Sequence, residues 1–106
     1  MLIVIGRVAI VPEKEAEANE LMVWMQTESL KEPGCLRYGF FRSVADPNEL
    51  IAVEEWESAD ALRTHFGAHT VQRFTSELGA LISRPPEVKI HAIGRTNDFP
   101  DLDGLA

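Results

Sequence analysis

Two histidines four residues apart, His65 and His69, lie downstream of a Glu-x-Trp step formed by Glu54 and Trp56. An imidazole titrates near neutrality (about 6.5), so it can take a proton from a phenol at ordinary pH. Residues two apart share one face of a strand, which places Glu54 beside Trp56. A carboxylate and an aromatic wall facing a helix-borne His65 would suit a planar phenolic substrate. In such a site His65 is the base or proton relay. Glu54 orients it or acts as the base itself, and Trp56 with Tyr38 forms the stacking wall. Arg7, Phe66 and His69 complete the set of candidate substrate contacts.

Each of these residues also has a structural reading. Trp56 fits a core aromatic. Glu54 can pair with Arg7 across a sheet, because a buried strand seldom carries an unpaired charge. His65 lies at the edge of an apolar helical stripe, where a hydrophobic residue is usual, and this favours a chemical role. The structural alternative is a helix cap beside Gly67. A metal shared by His65 and His69 needs a helix that continues through Gly67 and a third ligand from Glu54 or Cys35. No such ligand set stands out, so no metal is expected. His91 has no evident partner. Cys35 follows Pro33-Gly34 with only Arg37 near it in sequence, and reads as a small packed residue rather than a reactive thiol.

The elements that must position these groups follow from hydrophobic periodicity. Residues 2–11 are almost all apolar and read as a strand with two apolar faces, Leu2, Val4, Val8 and Ile10 on one and Ile3, Ile5, Ala9 and Val11 on the other. Pro12 ends that strand and can open a helix, with Glu13, Glu15 and Glu17 at the favourable end of its dipole. Ala18, Leu21, Met22 and Met25 form one stripe, which predicts a first helix over residues 13–30. Trp24 flanks it. Pro33-Gly34 stops it.

Residues 35–43, rich in aromatics, and residues 50–56 read as a hairpin turned by Asp46-Pro47-Asn48. Alternation alone does not say which face of the first of these strands lines a pocket. Ser58 is an N-cap residue, and Ala59, Leu62 and Phe66 share a face. Gly67 interrupts before Val71, Phe74, Leu78 and Leu81 resume it, giving one broken helix or two short ones. Pro85-Pro86 precedes a last strand over 88–93. The order is βαββαβ, an α+β ferredoxin-like fold with an antiparallel sheet. Residues 1–94 are expected to form one domain, followed by an irregular acidic tail over 95–106.

Two helices cover only one face of a four-stranded sheet. The second apolar face of the first strand therefore predicts a homodimer packed sheet to sheet. A chain of 106 residues also gains from the extra burial. The net charge of −7 and the scattered Lys and Arg argue against nucleic-acid and membrane-surface partners. One cysteine fits a reducing, cytoplasmic compartment. The apolar start is short and interrupted by Arg7, so it reads as a strand rather than a signal peptide.

The stretch Glu32-Pro33-Gly34-Cys35-Leu36-Arg37-Tyr38, the turn Asp46-Pro47-Asn48, the run Val53-Glu54-Glu55-Trp56-Glu57-Ser58, and the spaced Ala61, Leu62, His65 and His69 together resemble the antibiotic biosynthesis monooxygenase family over residues 1–93. The resemblance implies a dimeric α/β barrel of two facing sheets, with a pocket between helices and sheet in each protomer. It also implies a cofactor-free monooxygenase that oxidises anthrones or quinols, with molecular oxygen as co-substrate. Haem-degrading relatives carry an Asn in their first strand. The first Asn here is Asn19, which argues against haem. An isomerase that enolises a small carbonyl compound, and a ligand-binding dimer without activity, remain compatible with the same residues.

Overall fold

The computed structural model describes residues 1–106. The chain runs β1 (Leu2–Ala9), a 3-10 turn (Pro12–Lys14), α1 (Glu15–Ser29), β2 (Cys35–Arg42), β3 (Glu49–Trp56), α2 (Ala59–Phe66), α3 (His69–Leu78) and β4 (Glu87–Ala92). The four strands form one antiparallel sheet in the order β2-β3-β1-β4. This is the α+β ferredoxin-like arrangement expected from the sequence.

Several boundaries differ from the expectation for local reasons. The first strand ends at Ala9 rather than at residue 11. Beyond it, Ile10 N bonds to Asn48 O at 2.8 Å and Val11 N bonds to Leu81 O at 2.9 Å, so the backbone leaves the ladder for two loops. Pro12 opens a 3-10 turn, which delays α1 to Glu15. The second helical region is two helices. Gly67 closes α2 by donating to Arg63 O and Thr64 O, and the extended Ala68 starts α3 anew.

One face of the sheet carries the helices. Val8, Ile10 and Leu50 pack with Ala18, Leu21, Met22, Leu78 and Leu81 in one cluster. Val4, Tyr38 and Trp56 pack with Met25 and Leu62 in a second. Burial of each large apolar side chain in these clusters contributes roughly 1.5–3 kcal/mol. At the β2 edge, Gln26 Oε1 of α1 accepts from Phe40 N at 3.2 Å, so helix and edge strand are joined by a polar contact as well.

The other face has no helix. Ile3, Ile5, Ile51 and Val53 line its centre, half-buried, and Leu36 and Phe41 stand exposed towards the β2 side. The helices also fall short of β4, where Val88 and Ile90 remain exposed. Arg7 lies on the open face, in a shallow pocket with Ile5, Glu87, Lys89 and His91. This corrects the expected Arg7–Glu54 pair, because the two side chains are on opposite sides of the sheet. No helix is long and apolar enough to cross a membrane. Residues 94–106 contain neither helix nor strand and are braced internally by Asn97, whose Nδ2 donates to Asp101 O and Asp103 O.

Candidate active site

The site is assembled where the end of β3, the turn after α1 and the inner face of α2 meet. Alternation along β3 sends Leu50, Ala52, Glu54 and Trp56 towards the helices, all buried. Immediately after Trp56 the chain enters α2, whose N-cap Ser58 Oγ accepts from Ala61 N at 3.1 Å. That cap fixes the helix phase, and Leu62 and His65, three apart, then point inwards. The turn that follows α1 contributes Glu32. Its backbone is held by Glu32 N to Ser29 O at 3.0 Å and Cys35 N to Glu32 O at 3.2 Å, and Gly34 O accepts from Glu57 N at 2.9 Å. Gly34 has φ +83° there, a left-handed conformation that favours glycine.

His65 is 2% exposed and Trp56 is wholly buried. Their ring centroids lie 4.5 Å apart, and Tyr38 meets His65 edge-on at 5.7 Å. Trp56 Nε1 donates to Glu54 Oε1 at 2.9 Å. His65 Nδ1 lies 2.8 Å from Glu32 Oε2. His65 Nε2 is 3.9 Å from Glu54 Oε1, beyond hydrogen-bond length but close enough for charge to act. Glu54 therefore does not orient the imidazole as expected. Glu54 is engaged by Trp56, and Glu32 holds the ring.

The electrostatics follow from burial. Desolvation raises the Glu54 carboxyl pKa, against the lowering effects of the Trp56 hydrogen bond, the His65 charge and Tyr38. Burial, and then the Glu54 charge, push the Tyr38 hydroxyl far above its ordinary value. Ser29 Oγ acts the other way on Tyr38, although it is fully buried and makes no hydrogen bond of normal geometry. Cys35 is pushed up to about 11, first by burial and then by Glu32 and Glu54. The groups that meet His65 are thus two carboxyls and a phenol, and Cys35 lies near both carboxyls. The imidazole has a carboxyl oxygen near each of its two nitrogens.

Of the remaining candidates only Phe66 meets this group, with its ring centroid 6.0 Å from that of His65. Arg7 is across the sheet. His69 is exposed at the start of α3, beyond the Gly67 break, and no three His, Cys, Asp or Glu side chains are placed to hold a metal ion. Phe66 is exposed and lines a cleft of about 270 Å³ between α2 and β4, with Leu2, Ala59, Leu62, Arg63 and Ile90. A larger groove of about 910 Å³ runs along the outer surfaces of α1 and α3, past Trp24 and Arg73. Neither of these clefts is lined by His65, Glu54 or Trp56. The expected cavity between helices and sheet is closed here, because Trp56, Met25, Leu62 and His65 fill it.

Glu32 is the residue that sequence reasoning missed. It stood within the Glu-Pro-Gly-Cys motif, but its separation of 33 residues from His65 gives no periodic signal of contact.

Comparison with known proteins agrees with the fold. The uncharacterised protein sll1783 of Synechocystis is 30% identical over 95 residues, covering 90% of this chain. This chain spans only 65% of that relative's length. Rv0793 of Mycobacterium tuberculosis is 32% identical over 89 residues, covering 84% of this chain and 87% of that protein. The Rv0793 structure superposes with a TM-score of 0.84 at 27% identity, over 90% of this chain and 96% of that one. SnoaB, a cofactor-independent oxygenase from Streptomyces nogalater, shares the fold with a TM-score of 0.80 at 19% identity, over 94% of this chain and 97% of that one. The sequence profile of the antibiotic biosynthesis monooxygenases matches residues 1–77, and the chain belongs to that family.

Proposed function

We propose that the chain is a monooxygenase that oxidises a neutral quinol, anthrone or similar electron-rich aromatic with molecular oxygen, without a bound metal or flavin. The observation that carries this reading is the placement of His65 against Trp56, with Nδ1 on Glu32 and Nε2 facing Glu54. A base so placed can take a phenolic proton and leave an electron-rich phenolate to react with oxygen. Family membership supports the reaction class, and so does the provisional naming of Rv0793 as a monooxygenase. SnoaB, named as cofactor-independent, shares the fold and lends its name as precedent for chemistry without a cofactor. The acidic surroundings of His65 favour a substrate that arrives uncharged, since a second anion would be repelled by Glu32 and Glu54.

The ring is almost wholly buried in this packing, so a substrate reaches it only if the packing around His65 opens. Such a step would gate turnover. Residues 1–94 are the proposed working unit, in a cytoplasmic, reducing setting that suits the free Cys35. A second copy covers the open apolar sheet face, giving a homodimer with one site per protomer.

Oxygen uptake with a panel of neutral quinols and anthrones tests the proposal. Turnover above the uncatalysed rate, abolished in His65→Ala, is expected. Equal rates for the wild type and His65→Ala would sink it. The raised Glu54 pKa also favours a second reading, enolisation of a small carbonyl compound by the same acid–base pair. Activity that persists under anaerobic conditions would select it.

A further inference from the structure

We propose that Glu32 is a positioning residue that sets the tautomer of His65 and offsets the charge the ring gains when it acts as a base. An ionised carboxylate has only acceptor sites. With Glu32 ionised, its Oε2 at 2.8 Å can only accept, so the proton then sits on His65 Nδ1 and Nε2 keeps a free electron pair on the side of Glu54. The Nδ1 contact is the one hydrogen bond the imidazole makes, so nothing else fixes the tautomer.

The carboxylate is well placed to hold that role. Hydrogen bonds on both sides of the turn fix its backbone, and the turn is tied to the β3–α2 junction through Gly34. Its side chain retains 19% exposure against 3% for His65, so Glu32 keeps contact with water while the ring does not. A carboxylate that is partly solvated carries less desolvation cost than one in the interior. The other titratable groups facing the ring are Glu54 from β3 and Tyr38 from β2, and Cys35 at the start of β2 feels the charge of both carboxyls. None of them can receive the Nδ1 proton in this arrangement.

The inference rests on the oxygenase reading for the step that uses the base. In that step a substrate O–H bond breaks, an Nε2–H bond forms, and the electron pair stays on the substrate oxygen. The imidazolium so formed is held against the Glu32 carboxylate. The substrate carbon conjugated to that oxygen then bonds to O2, passing two electrons and giving a peroxide that takes the Nε2 proton. Loss of the proton on that carbon with cleavage of the O–O bond passes two more, leaving the carbonyl on the substrate and the second oxygen as water. The tautomer itself does not depend on that reading.

Long-range proton–nitrogen correlation spectra of the full chain report the His65 tautomer directly. The wild type is expected to be Nδ1–H. Glu32→Gln can donate to the ring as well as accept from it, so a substantial Nε2–H population should emerge. Glu32→Asp, which keeps the carboxylate, should recover Nδ1–H, and it remains informative if the Gln variant folds poorly. A ring that stays Nδ1–H in both Glu32→Gln and Glu32→Ala overturns the proposal. With an active quinol substrate, kcat in Glu32→Gln should fall by roughly 100-fold, the low end of general-base effects. Unchanged kcat in a variant whose tautomer has shifted would also overturn it. No uptake by a wild type that shows the Nδ1–H ring, with the tautomer lost in Glu32→Gln, would support the positioning role and sink only the oxygenase reading.

Discussion

Trp56 Nε1 and Glu54 Oε1 are joined by a 2.9 Å hydrogen bond within a core where both residues are buried. The two side chains come from the same strand, two positions apart, so the bond is a direct product of β alternation. It gives the indole its partner and offsets part of the cost of burying a carboxyl.

Glu54→Gln keeps an acceptor for the indole and removes the titration. The folded-state pKa of Glu54 is raised above that of the unfolded chain. The folded protein therefore binds the extra proton more readily, and the stability tied to it is full below the ordinary carboxyl range. It is lost as pH rises through the raised value. Chemical denaturation across acid to neutral pH should show the wild type losing stability relative to Glu54→Gln as pH rises. Parallel curves for the two proteins would contradict this. Glu54→Ala, which orphans Trp56 Nε1, should cost about 1–3 kcal/mol for the unmet donor alone.

Gly34 is the pivot of the turn that carries Glu32. A Cβ built on it would lie 2.5 Å from Ala61 Cβ and 3.2 Å from Glu57 Cγ, and its φ of +83° is strained for any other residue. Gly34→Ala should cost about 1–2 kcal/mol through the backbone, with the push on α2 added to it. A melting temperature lower by roughly 5–15 °C is expected. A melt within a degree of the wild type would show that the turn tolerates a side chain.

Much of the fold was legible because it depends on local pattern. The alternation from Leu50 to Trp56, the Ala18–Leu21–Met22–Met25 stripe and the Gly67 break each declare themselves within a few residues. The apolar double face of β1 also announced an uncovered sheet face. The site was legible only in part. His65, Trp56, Glu54 and Tyr38 do converge, but the partner of His65 depends on how the turn after α1 folds against α2. That turn is set by Gly34 and by backbone bonds to Ser29 and Glu57, which have no periodicity. Arg7 and His69 were misplaced for the opposite reason. Their chemistry suggested a site, and one-residue parity in β1 or a two-residue helix break carried each of them elsewhere.

Cys35 should be slow to react. Its pKa of about 11 leaves roughly one thiol in a thousand ionised at pH 8, about 100-fold less than an unperturbed thiol. Alkylation by iodoacetamide, followed by mass spectrometry, should be clearly slower than for a free cysteine, though by less than that factor because a thiolate of higher pKa is the stronger nucleophile. Glu32→Gln and Glu54→Gln each remove one of the smaller causes, so each should speed labelling modestly, while burial keeps the thiol slow. Rapid labelling of the folded wild type at pH 8 would show that the thiolate is not suppressed.

Val53 sits near the centre of the open sheet face, between Ile5 across the β1 pairing and Gly39 across the β2 pairing. Its side chain points away from both core clusters, half-buried beside Leu36, Arg37, Phe41 and Glu55, so a charge there stays within reach of water if the chain is monomeric. In a face-to-face dimer the same charge is buried twice about a two-fold axis without a partner, at a cost of several kcal/mol per ion. Val53→Glu should therefore split the dimer while leaving the monomer fold within about 1 kcal/mol. Light scattering after size exclusion at micromolar concentration reads this directly. The wild type is expected at twice the chain mass and Val53→Glu at the chain mass, with circular dichroism unchanged. A wild type that runs as a monomer would refute the dimer outright. A variant that stays dimeric would move the interface off this face, towards the exposed Val88 and Ile90 side of β4 that the helices leave bare.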